Sequence, residues 1–152
     1  MAEYLANAVQ DVALNEPVLM DASIPCNRGY VIHEDGTGVF ILRGIVNNPT
    51  CRRARYKLEF NGNIAIPTGG TVGPIAVAIT LNGETRPTSR AIFTPAAVGT
   101  YGNVTSVAHI DVPAGCCFSV SVRYVNGNTD PTAVPTPSIQ VINANLVIDR
   151  TA

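Results

Sequence analysis

Four cysteines, at positions 26, 51, 116 and 117, and two histidines, His33 and His109, are the side chains here best suited to chemistry. Cys116 and Cys117 are adjacent and cannot easily bridge each other, so a disulfide would join Cys26 or Cys51 to one of them. Cys26, His33, Cys51 and Cys116 or Cys117 are also ligand types that suit zinc. They lack the tight Cys-x-x-Cys spacing of a zinc site, and a chain without an export signal keeps its thiols reduced. We therefore expect thiols and no metal. Nucleophilic catalysis needs a Cys or Ser beside a His and an orienting acid. Cys26, His33 and Asp35 form one such set on paper; Ser106, His109 and Asp111 form another. In a strand, however, Ser106 and His109 face opposite sides. Glu34-Asp35 falls on a hairpin tip and is a solvated turn rather than a carboxylate pair. The glycines of residues 67–74 lack the Gly-Lys-Ser/Thr and the following helix of a phosphate loop. Asn103-Val104-Thr105 fits the glycosylation pattern, and without an export signal it is read as chance. The expectation is a protein that is not an enzyme and holds no cofactor.

The elements that must position these residues are strands. Residues 53–83 organise the rest. Tyr56, Leu58 and Phe60 alternate with Arg55, Lys57 and Glu59, which sends three large apolar groups to a core and three charges to water. Ile75, Val77, Ile79 and Leu81 alternate with Ala76, Ala78 and Thr80, a strand with one bulky face and one small, uncharged face. Residues 67–74 between them are too rich in Gly and Pro for a strand interior. Asn82-Gly83 supplies a turn. Earlier, residues 1–7 read as a helical turn or arm, Ala8 to Leu14 as a strand, and residues 30–33 and 39–46 as a hairpin about Asp35-Gly36. Later, Val104 to Val112 alternates, as do Phe118, Val120, Val122 and Tyr124 against Ser119, Ser121 and Arg123. Ser138 to Arg150 is a last strand, and Asn143-Ala144-Asn145 breaks its alternation as a bulge would. The sum is about nine or ten strands with frequent turns, no convincing helix and no repeat. That pattern predicts an all-β sandwich or jelly roll, with an arm at 1–7 and a single domain over 8–152.

Of the 152 residues, 46% are hydrophobic but only 14% charged, against about 25% in ordinary soluble domains. So few charges point to a surface of neutral Asn, Thr, Ser and Gly, with part of it covered by a partner. Net charge is −1, and nine of the ten cations are Arg, Lys57 being the exception. With no basic stripe or acidic tail, no nucleic acid is expected. No stretch approaches the ~20 apolar residues of a membrane span, so no membrane insertion is expected. Residues 1–20 carry an acid at position 3 and no continuous apolar run. The expected product is made in the cytoplasm, with a virion or bacterial surface as its final site.

The order of signals resembles the tumour-necrosis-factor/C1q-like jelly roll over roughly residues 8–150. Ala54-Arg55-Tyr56-Lys57-Leu58-Glu59-Phe60 is similar to the family's Gly-x-Tyr-x-Phe strand, with Ala54 in place of the glycine. Leu81-Asn82-Gly83 is similar to its mid-chain turn. Ala114-Gly115-Cys116-Cys117-Phe118-Ser119-Val120 is similar to its late Gly-Asp turn and strand, with Cys116 in place of the aspartate. Short bacterial and phage members, such as spore-surface filament heads, resemble it most. The resemblance implies a compact homotrimer with one sheet of each subunit facing a threefold axis, and it implies no catalytic residue. Phe40, Leu42, Phe118, Val120, Val122 and Tyr124 are the candidate axis residues. The leading functional expectation is a trimer that decorates or caps a larger assembly. The alternative is a module whose loops, 84–90, 94–103 and 126–137, bind a glycan or receptor. A metal- or thiol-dependent enzyme comes last.

Overall fold

The computed structural model describes residues 2–24, 30–44, 50, 52–115 and 117–151. Cys26, Cys51, Cys116 and residues 45–49 lie outside them. The described strands are β1 (Ala2–Ala6), β2 (Gln10–Ala13), β3 (Ala22–Ile24), β4 (Val31–His33), β5 (Phe40–Arg43), β6 (Arg53–Ala65), β7 (Ile75–Leu81), β8 (Glu84–Thr85), β9 (Ala91–Phe93), β10 (Gly102–Pro113), β11 (Cys117–Asn126) and β12 (Ser138–Arg150). They form two antiparallel sheets. In the first the order is β10-β6-β12-β1-β3, with β2 also on β12. In the second it is β4-β5-β11-β7-β8, with β9 also on β7. No α-helix occurs among the described residues; Pro87–Ser89 makes one 3-10 turn.

Period-two patterning sets which side chains meet between the sheets. In β6, Tyr56, Leu58 and Phe60 are at most 1% exposed, while Arg55, Lys57 and Glu59 face out. Each large apolar group buried this way contributes about 1.5–3 kcal/mol. From the second sheet Phe40, Leu42, Val120, Val122 and Tyr124 meet them in one core. The Gly/Pro-rich link at 67–74 carries the chain from the first sheet to the second. Asn82 and Gly83 take positive φ of 50° and 86° and close β7 onto β8. The expected bulge is present: the β12–β6 register shifts between Ile142 and Asn145, and Asn143 has φ 55°.

Two sequence expectations are corrected. In the segment expected as an arm or helical turn at 1–7, Ala2–Ala6 is instead a strand between β12 and β3. Ala2, Tyr4 and Ala6 alternate inward, a short period-two signal that small alanines make easy to overlook. Residues 2–6 thus belong to the domain itself. The candidate axis residues are also corrected. Phe40, Leu42, Val120, Val122 and Tyr124 are 0–1% exposed within the single chain, and half-buried Phe118 packs against the same core. Side chains already consumed between the two sheets leave no surface for a neighbouring subunit.

The small face of β7 is covered too. Ala76 and Ala78 pack with Val125, and the buried Thr80 and Ser121 hydroxyls hydrogen-bond at 2.5 Å. Six consecutive β7 residues are therefore buried.

Candidate functional site

Ser106, His109 and Asp111 do not assemble as a triad, and the set with Cys26 includes a residue outside those described. Ser106 points inward and donates to the Ser89 carbonyl, while His109 lies on the exposed face of β10. His33 is packed as a structural side chain. Its ring stacks on Phe40 at 4.0 Å and meets the edge of Tyr4 at 4.9 Å. Its Nδ1 and Nε2 lie 3.0 and 3.3 Å from the Val39 and Met20 carbonyl oxygens. Glu34 and Asp35 are exposed on the β4–β5 turn. Cys117 is exposed at the start of β11; Cys26, Cys51 and Cys116 lie outside the described residues. Among the described residues no three His, Cys, Asp or Glu side chains group as a metal site would. No helix among them is long and apolar enough to cross a membrane.

Two surfaces remain. The first is the outer face of the β10-β6-β12-β1-β3 sheet, whose register lays side chains in rows. One row runs Asn103, Asn63, Ile142; the next Thr105, Asn61, Asn145, Leu5, Ala22; the next Val107, Glu59, Val147, Glu3, Ile24. The amides bond to one another. Asn103 Nδ2 donates to Asn61 Oδ1 at 2.7 Å and to Asn63 Oδ1 at 3.2 Å, and Asn143 Nδ2 donates to Asn7 Oδ1 at 2.5 Å. Asn145 Nδ2 donates to the Glu3 carboxylate. The two acids in these rows are thus engaged, since Glu59 pairs with Lys57 at 2.7 Å. That hydrogen bond holds the Lys57 ammonium above its usual range.

Below these rows the character changes. His109, Lys57 and Asp149 form one row, and Asp111 faces Arg55 in the next. Arg55 Nε and Nη2 donate to Asp111 Oδ1 and Oδ2 at 2.8 and 3.3 Å. This hydrogen bond holds the Asp111 carboxyl below the usual range. Arg53, at the start of β6, lies 3.9 Å from the same carboxylate. Arg43 ends β5 and Arg150 ends β12, its guanidinium 4.3 Å from the centre of the Tyr30 ring. The Arg52 carbonyl accepts from Ala114 beside them. Five arginines from three separate stretches of sequence therefore share one end of the sandwich, against Asp111 and Asp149. The sequence holds part of this signal as Arg52-Arg53-Ala54-Arg55; the rest arises from strand register.

The second surface is a groove at the exposed edge of β10. Arg55, Leu81, Arg86, His109, Ile110 and Asp111 line about 420 Å³ of it. Arg86 Nη1 donates to the His109 carbonyl at 3.1 Å, which anchors the guanidinium at the groove wall.

Solved structures share this architecture. The globular domain of zebrafish complement 1qA protein superposes with a TM-score of 0.57, covering 95% of this chain and 92% of that one. The Eiger TNF of S. frugiperda superposes with a TM-score of 0.62, covering 100% of this chain and 92% of that one. The chain has the C1q/TNF jelly-roll fold. Identity is 12% in both cases, so the likeness concerns the fold alone. No protein-family model and no curated protein matches the sequence.

Proposed function

We propose that this C1q/TNF-like protein is a non-enzymatic structural subunit, a homotrimer that decorates or caps a larger assembly such as a phage particle or a bacterial or spore surface. C1q/TNF-like domains commonly form trimers. The observation that carries the reading is the outer face of the β10-β6-β12-β1-β3 sheet. Its upper rows are mostly aliphatic, amide or hydroxyl, with Val107 43% and Ile24 54% exposed, and their two acids, Glu3 and Glu59, are each engaged by a neighbour. The Asn103, Asn61 and Asn63 amides already bond to one another, which lowers the cost of covering them. The charges crowd towards one end, where they can stay solvated at an interface rim. A second reading, a trimeric module that recognises a glycan or receptor through its loops, is supported by the groove beside residues 84–90.

Sedimentation equilibrium at micromolar concentration tests the proposal. The expected mass is three times the 16.0 kDa of one chain. Val147→Asp sets a third carboxylate between Glu59 and Glu3 and is expected to yield a monomer with an unchanged strand spectrum. A stable monomer of the unaltered chain would overturn the trimer.

A further inference from the structure

The groove has two lobes of different electrostatic character. The first, described above, presents Arg55 and Arg86 with His109 beside them and Asp111 paired to Arg55. The second, of about 360 Å³, is lined by Leu81, Glu84, Thr85, Arg86, Pro87 and Thr88, and shares Leu81 and Arg86 with the first. Arg86 therefore stands at the junction. Its Nη1 is fixed on the His109 carbonyl, and its Nε and Nη2 make no hydrogen bond among the described residues. Asp111 engages Nε and Nη2 of Arg55, and Arg55 Nη1 makes no hydrogen bond among the described residues. The open Nε–Nη2 fork of Arg86 suits a planar oxyanion, which accepts two parallel hydrogen bonds, and Arg55 Nη1 offers a further donor. The arginine-rich end of the sandwich adjoins this lobe and adds positive potential. The second lobe is different: Glu84 opposes Arg86, two threonine hydroxyls offer donors and acceptors, and Leu81 and Pro87 give an apolar floor.

We propose that this groove binds an acidic sugar, its oxyanion on Arg55 and Arg86 and a neutral sugar ring over Leu81 and Pro87. One anionic end and one neutral polyol end match the two lobes. A nucleic acid matches them less well, because it carries a phosphate on every nucleotide and would bring a second negative charge to Glu84. The aromatic face nearest the basic end, Tyr30, is covered by Arg150 and offers no base a stacking platform. The groove is built within one chain, so this site stands apart from the trimer reading.

The test is a calorimetric and chemical-shift titration of the full chain. The probes are a glucuronic-acid-containing disaccharide, its uncharged methyl ester, a 6-sulfated disaccharide and a short single-stranded DNA. The uronate and sulfate arms distinguish the source of the oxyanion. At least one of them is expected to bind, with the methyl ester about tenfold weaker or more. Arg86→Gln is expected to weaken binding by a similar factor. Glu34→Gln, on the exposed β4–β5 turn, is expected to leave it unchanged. Equal binding of ester and acid, no effect of Arg86→Gln, no binding of either acidic sugar, or tighter binding of DNA would each overturn the proposal. Sedimentation of the same samples reports the oligomeric state separately, so a failed trimer and a failed sugar site are told apart.

Discussion

Tyr124 offers a sharp check on the core. Its ring is fully buried, and its hydroxyl donates to the Thr136 carbonyl at 2.7 Å. Burial pushes the phenol up to about 12, from an ordinary value of 10.0. Tyr124→Phe removes one hydrogen bond and leaves a buried carbonyl without this donor, a loss of about 1–2 kcal/mol near neutral pH. Alkaline pH acts the other way. The folded chain holds the Tyr124 proton more tightly than the unfolded chain. The contribution is therefore whole below pH 10 and is lost as pH rises towards 12. Two pH units correspond to about 3 kcal/mol, and roughly half of that is gone by pH 11. Urea unfolding followed by circular dichroism, with reductant present, measures both proteins at pH 8, 10 and 11. The variant is expected to be the less stable at pH 8, and the gap is expected to close almost completely by pH 11. Tyr56, whose pKa burial also raises, ionises alike in both proteins and cancels. A gap that stays constant from pH 8 to 11 would show that the hydroxyl is not buried as described and would remove the basis for placing this residue between the sheets.

Two further substitutions probe the backbone that shapes the site. A Cβ at Gly127 would stand 2.8–2.9 Å from backbone atoms of Ile75 and Pro74, which cannot swing aside. Gly127→Ala is therefore expected to cost about 2–4 kcal/mol, measured by urea unfolding. Asn82 holds φ at 50° in the turn that leads into β8 and Arg86. Asn82→Val puts a β-branched residue there and is expected to cost about 1–2 kcal/mol, with weaker binding in the groove; unchanged thermal stability would contradict the turn assignment.

The legible parts of the sequence are those governed by neighbours in the chain. Alternation in residues 55–60 and 75–81, the Asn82-Gly83 turn and the bulge at Asn143 are local properties, and each reappears in the fold. Residues 2–6 were misread because two alanines give a weak apolar signal, and only pairing with β12 and β3 makes the strand. The axis residues were misjudged for a different reason. Alternation shows that Phe118, Val120, Val122 and Tyr124 share a face, but it cannot show whether that face meets the other sheet or another chain.

Sequence alone determined the all-β sandwich character and the scarcity of charge, because side-chain period and composition are fixed along the chain; the jelly-roll class came from short motifs that resemble the C1q/TNF-like fold. Only the tertiary structure decided which face is core and which is free. It also decided that Arg43, Arg52, Arg53, Arg55 and Arg150 share one end, and that Arg86 reaches a groove beside β10. Those are matters of register between strands up to a hundred residues apart, and register depends on how the two sheets close over their common interior.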